Sequence, residues 1–140
     1  MPNRYSTLII TLGLAALLFF PVTAIAQNKP AGEAGKAPAD FPADIPVYNN
    51  ATLSHSGPLY GDPKLGQEYH FDTNDAVETV KAFYLRQLPA NGWTVTKGFG
   101  ANPNTITVMK GKRMAMVSPN RVAGGKGELT RIAVELMATK

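Results

Sequence analysis

The chain reads as an α+β domain in which one amphipathic helix packs on a twisted, mainly antiparallel sheet, in the order ββαββββ. Three observations predict this. Val77, Val80, Tyr84 and Leu88 recur at spacings of three and four, which makes one apolar helical stripe. Segments on both sides of that stripe alternate apolar and polar residues with period two, as half-buried strands do. Clusters of Gly, Pro, Asn and Asp punctuate those segments at turns.

The N-terminus has a different character. Met1 to Thr7 is a short start carrying Arg4, Leu8 to Phe20 is an almost unbroken apolar run, and Ala24-Ile25-Ala26 precedes Gln27. This is the three-part layout of a secretory signal peptide, with cleavage expected after Ala26. The 13-residue apolar run is short of the ~20 residues that a spanning helix needs. Export removes transcription factors and cytosolic enzymes from consideration, and no nucleic-acid partner is expected. The membrane is involved only through the signal peptide before cleavage. The protein is expected in the bacterial periplasm or secreted.

Residues 27–44 read as a flexible linker, rich in Ala, Pro, Gly, Lys and Asp, with Phe41 as the one large apolar residue. Pro42 and Pro46 keep the chain extended, and a single folded domain is expected over residues 45–140. Ala51 to Ser56 is a weak first strand. Gly57 to Gly66 is a turn-rich connection. Gln67 to Asp72 is a second strand, with Tyr69 and Phe71 on one face and Glu68, His70 and Asp72 on the other.

Asp75 and Glu78 have capping-box spacing at the helix start. Thr79, Ala82 and Arg86 fall opposite the apolar stripe. Pro89 and Asn91-Gly92 end the helix between Leu88 and Asn91. Four strands follow. They are Trp93 to Phe99, Thr105 to Lys110, Arg113 to Ser118 and Leu129 to Met137, with a tight turn at Gly111-Lys112 and a flexible loop from Pro119 to Gly127. In the last strand Ile132, Val134 and Leu136 face one way, and Arg131, Ala133 and Glu135 the other.

Phe83-Tyr84, Leu88 and Gly92-Trp93 spell Phe-Tyr-x-x-x-Leu-x-x-x-Gly-Trp, with Thr73 and Asp75 at the helix start and Ile45-Pro46-Val47-Tyr48 as the entry. The pattern resembles a domain of uncharacterised exported bacterial proteins and lipoproteins, over roughly Ile45 to Lys140. The resemblance implies the helix-on-sheet fold and supplies no catalytic residue, ligand or partner. This chain departs from the lipoprotein members in having no cysteine.

With no cysteine there is no disulfide and no thiol nucleophile, so the core rests on apolar packing. The charges are unevenly placed. Residues 27–80 carry three basic and eight acidic side chains, and residues 81–140 carry ten basic and two acidic ones. Such asymmetry marks either an anionic partner or two halves that interleave in the fold and leave an ordinary surface. Lys110, Lys112, Arg113, Arg121 and Lys126 lie at two turns. They would form one anion-attracting rim if both turns opened at the same end of the sheet.

Other candidates carry less chemistry. Glu68, His70 and Asp72 share a strand face, but residues two apart on a strand are ~7 Å apart, too far for one ion unless the strand bends. His55 lies between Ser54 and Ser56 without a Gly-x-Ser-x-Gly elbow. Val122 to Gly127 lacks the Lys-Ser/Thr of a phosphate-binding loop. Trp93 suits a plug under the helix end better than a sugar platform. Met109, Met114, Met116 and Met137 suit either an adaptable surface or the gaps between helix and sheet.

No catalytic residue, metal site or cofactor is assigned. The expected function is that of a non-catalytic periplasmic binding or interaction module, with an envelope protein or an anionic envelope component as partner. The alternatives are a small hydrolase using His55 or His70, and an inhibitor or ligand carrier using the sheet face away from the helix. A flat polar face with basic turns favours the interaction module. A histidine and a carboxylate converging in a cleft favour the enzyme, and an apolar concave face favours the carrier.

Overall fold

A computed structural model of the chain describes residues 33–97 and 102–139. The signal-peptide and cleavage expectations for residues 1–26 lie outside the described residues, as do the start of the expected linker and the end of the strand expected at Trp93 to Phe99.

Among the described residues six strands form one antiparallel sheet. They are β1 (Thr52–Pro58), β2 (Gly66–Thr73), β3 (Thr94–Thr96), β4 (Ile106–Lys110), β5 (Arg113–Gly124) and β6 (Gly127–Met137), in the spatial order β1-β2-β6-β5-β4-β3. Among the same residues one helix, α1 (Val77–Ala90), joins β2 to β3, and a 3-10 turn (Leu59–Gly61) follows β1. The architecture is the α+β arrangement expected. Among the described residues no helix is long and apolar enough to cross a membrane.

Val77, Val80, Tyr84 and Leu88 are the buried residues of α1, and Thr79, Ala82 and Arg86 are exposed. The stripe packs on β3, β4 and β5. It meets Ile106, Val108, Ala115, Val117, Ile132 and Val134 in one apolar core. Gly92 stops the helix at φ 82°, a conformation that costs glycine little because it has no Cβ. Trp93 then turns inward to 2% exposure and donates its indole N–H to the Asp44 carbonyl at 3.0 Å.

The segment before β1 differs from the linker expected. Residues 38–51 form a strap over the half of the sheet that α1 leaves bare. Phe41, Ile45, Tyr48 and Ala51 are all buried in the core. The Phe41 ring meets Tyr69 edge-on at 4.9 Å and Phe71 at 5.4 Å. Burying such an aromatic ring contributes on the order of 2 kcal/mol, enough to hold a segment that has no regular structure. The packed region therefore begins before Ile45.

The start of α1 also departs from expectation. Ala76 occupies the N-cap position, and no side chain caps the helix. The Asp75 carboxylate instead accepts the Tyr48 hydroxyl at 2.6 Å and the Asn50 amide at 3.1 Å. A charged acceptor strengthens both bonds, so the strap takes the carboxylate away from the helix.

The expected loop from Pro119 to Gly127 is mostly strand. β5 runs to Gly124 and pairs with β6 down to Gly124–Gly127. Proline is tolerated there because β4 pairs with β5 only as far as Val117, which leaves Pro119 on a strand with one ladder neighbour. Thr107 is buried between its ladder partners Thr96 and Met116.

Candidate functional site

The two faces of the sheet have different fates. Register and alternation place Tyr69, Phe71, Val117, Ile132 and Val134 on the face that α1 and the strap close. Glu68, His70, Asp72, Arg131, Glu135, Met116, Ser118 and Asn120 lie on the other face. Met109, Met114 and Met137 share that second face with Met116, and all four are half-buried. They gather at the end where β4 turns into β5. They do not fill gaps between helix and sheet.

The middle of this outer face is polar. Glu68 and Glu135 are ladder partners, and the Tyr60 hydroxyl reaches Glu135 Oε2 at 3.5 Å from the 3-10 turn. Burial first, and then the Glu68 charge, push the Glu135 pKa above the ordinary range. Asp72 and Arg131 form a two-pronged pair at 2.8 and 2.9 Å. Burial alone would raise the Asp72 pKa, but the bonds from Arg131 and Ser54 outweigh it and hold the carboxyl low.

Between these groups sit the two histidines. The chain contains two histidines in all, and the fold makes them direct cross-strand partners with ring centroids 5.1 Å apart. A β-bulge between Leu53 and His55 causes this. Strict alternation would put His55 on the same face as Leu53. The extra residue, Ser54, turns His55 to the outer face, and its hydroxyl donates to the His70 carbonyl at 3.2 Å. The His55 ring lies over Gly57, with Nε2 3.4 Å from where a Cβ would be, and its Nε2 is 3.4 Å from Glu68 Oε1. The sequence pairs His70 with Glu68 by alternation. It does not place His55, because the bulge carries no sequence signal.

The five basic residues expected at an anion site fall into separate places. β5 separates its two turns by its full length, roughly 35 Å at ~3.3 Å per residue, so they do not share one rim. At one end the Asp44 carboxylate receives Lys110 at 2.9 Å and Arg113 at 2.8 and 3.2 Å. Both cations sit near the Trp93 ring, Arg113 at 4.9 Å and Lys110 at 5.9 Å from its centroid. Lys112 is exposed at the turn between them. Arg121 and Lys126 are exposed at the far end, on the β5–β6 hairpin. The role of Asp44 was not legible, since its partners are 66 and 69 residues away.

No described serine hydroxyl bonds to an imidazole nitrogen, and the His55–Glu68 pair lies on a sheet face and not in a cleft. A groove of about 560 Å³ runs between the strap and the outer side of α1, lined in part by Tyr48, Asn50, Phe83 and Arg86.

Comparison with curated proteins and with solved structures gives no match. A family model described as START domain-like matches residues 62–125, which span β2, α1, β3, β4 and β5. The match bears on neither export nor the lipoprotein resemblance. It fits the helix-on-sheet fold and is compatible with a non-catalytic binding module.

Proposed function

We propose that the protein is an exported, non-catalytic binding module of the bacterial envelope, and that it meets an envelope protein through its outer sheet face. The observation that carries this reading is the gathering of four half-buried methionines on the face opposite the helix. Methionine is flexible and polarisable, and it suits contact surfaces that must adapt to a partner. Glu68, Glu135 and the Asp72–Arg131 pair supply a polar margin beside it. The strap and α1 close the other face, which leaves no comparable surface there. The signal-like start of the sequence supports export, and the START domain-like match supports binding.

A pull-down from the envelope fraction tests this. Wild type is compared with Met116→Glu on the outer face, Arg86→Glu in the helix groove and Lys112→Glu at the basic turn. A partner lost only with Met116→Glu supports the reading. A partner lost with Arg86→Glu or Lys112→Glu, and kept with Met116→Glu, contradicts it.

A further inference from the structure

We infer that the groove between the strap and α1 binds a short acidic oligosaccharide, with a sugar carboxylate on Arg86. The site is separate from the outer sheet face, and the inference does not rest on the reading of that face. Helical spacing builds one wall. Thr79, Phe83 and Arg86 recur at steps of four and three, so they share one side of α1, and the short Ala82 side chain leaves room between them. The strap supplies the facing wall at Tyr48, Asn49 and Asn50. The groove's volume of about 560 Å³ falls within the ~300–1,000 Å³ of small-molecule sites. The strap wall is fixed before any ligand arrives. The Tyr48 hydroxyl and the Asn50 amide donate to Asp75 at 2.6 and 3.1 Å, and the Tyr48 ring meets Phe83 edge-on at 5.1 Å. The Ala51 N–H closes the turn onto the Tyr48 carbonyl at 2.9 Å. Such preorganisation lowers the ordering cost of binding.

Arg86 makes the ligand acidic. Its helix neighbours three and four residues away are Ala82, Phe83, Pro89 and Ala90, so no acidic side chain on α1 is placed to pair with it. Among the described residues Lys110, Arg113 and Arg131 have carboxylate partners, and Arg86 has none. Arg86 also stands outside the last turn of α1, where a cation would serve the helix dipole. Its planar guanidinium presents donors in a fork that matches a carboxylate. Asp75, just before the opposite end of α1, is already held by Tyr48 and Asn50. Its charge directs an anionic group away from that end and towards Arg86.

The remaining groups select a sugar. Thr79 carries a hydroxyl and Asn49 a carboxamide, and each can donate and accept, as sugar hydroxyls do. Asn50 gives its amide to Asp75 and keeps its carbonyl oxygen as an acceptor. The half-buried Phe83 offers apolar surface to the C–H face of a sugar ring. A peptide has less to hold it. The strap turns at Asn49–Asn50 and presents no strand edge there for an added strand. One phenylalanine beside one alanine makes no apolar stripe for an amphipathic helix.

The isotope-labelled protein is titrated with trigalacturonate, with neutral maltotriose and with triglutamate, and its amide NMR signals are followed. Trigalacturonate is expected to shift the signals of Asn49, Asn50, Thr79, Phe83 and Arg86. Maltotriose is expected to bind about tenfold more weakly or less, since it has no group for Arg86. Arg86→Gln is expected to lower trigalacturonate affinity by about tenfold in calorimetry, the scale of lost hydrogen bonds to a charged group. Its denaturation midpoint should not change, because Arg86 is exposed. Lys112→Gln at the basic turn should leave the affinity as it is. No binding at millimolar trigalacturonate overturns the inference. So do shifts confined to other parts of the molecule, an affinity that Arg86→Gln retains, or equal binding of maltotriose. Triglutamate bound in the groove as tightly as trigalacturonate would assign the site to an acidic peptide and overturn the sugar. If a variant misfolds, the wild-type titrations alone decide.

Discussion

Asp44 and Arg113 are joined by two near-parallel hydrogen bonds of 2.8 and 3.2 Å across 69 residues of sequence. The pair ties the strap to the β4–β5 turn, and Lys110 adds a third bond to the same carboxylate. Trp93 lies beneath both cations and holds the Asp44 carbonyl. One acidic residue thus fixes the strap to three different parts of the fold.

Asp44→Asn is expected to lower stability by about 1 kcal/mol, the scale of a partly exposed ion pair with good geometry. The loss depends on pH. Burial would raise the Asp44 pKa, but the bonds and charges of Arg113 and Lys110 outweigh it and hold it below the ordinary 3.8. A carboxyl whose pKa is lower in the folded state stabilises above its unfolded pKa and loses that contribution as pH falls through the folded one. Urea denaturation at neutral pH and below pH 3 should show the wild type and Asp44→Asn converging in acid. A constant gap would contradict the pairing.

Phe41→Ala is expected to cost ~3–5 kcal/mol, as for a large aromatic removed from a packed core. The ring stands against Tyr69 and Phe71 and is 7% exposed. A flexible linker would give no measurable loss. Chemical denaturation separates the two.

Leu88→Ala should cost ~2–5 kcal/mol by opening a cavity between α1 and the sheet. Arg86→Ala, on the exposed side of the same helix, should stay within about 0.5 kcal/mol. Equal losses at the two positions would mean that the helix presents another face to the core.

Tyr48→Phe and Asp75→Ala should be non-additive in a double-mutant cycle, because each removes the same 2.6 Å bond. The Tyr48 and Asn50 donors, in that order, hold the Asp75 carboxyl below its ordinary pKa. If Asp75 instead capped α1, Asp75→Ala would cost the same in the Tyr48→Phe background.

The helix was legible because its period reports burial directly. Val77, Val80, Tyr84 and Leu88 could share only one face, and that face is the buried one. The alternation of Ile132, Val134 and Leu136 was legible for the same reason. Phe41 was not, since one aromatic in a Pro- and Ala-rich stretch gives no period. Its burial depends on the space left between α1 and β2. Asp75 had the spacing of a cap, but spacing cannot show that Tyr48 and Asn50 compete for its carboxylate. Lys112 and Lys126 lie at turns as expected, but Arg121 lies within β5 opposite Thr130, and the length of β5, which keeps the two turns apart, was hidden by reading Pro119 as the start of a loop. His55 was lost to a one-residue bulge, which reverses the face of a side chain without changing composition.

The outer sheet face as the contact surface is tested most directly by methyl NMR of protein labelled at its methionines. The label reports Met109, Met114, Met116 and Met137 individually. With a partner captured from the envelope fraction added to saturation, the signals of all four should shift or broaden, and their solvent accessibility should fall. A saturated complex in which those four methyl signals stay unchanged would contradict the assignment of this face.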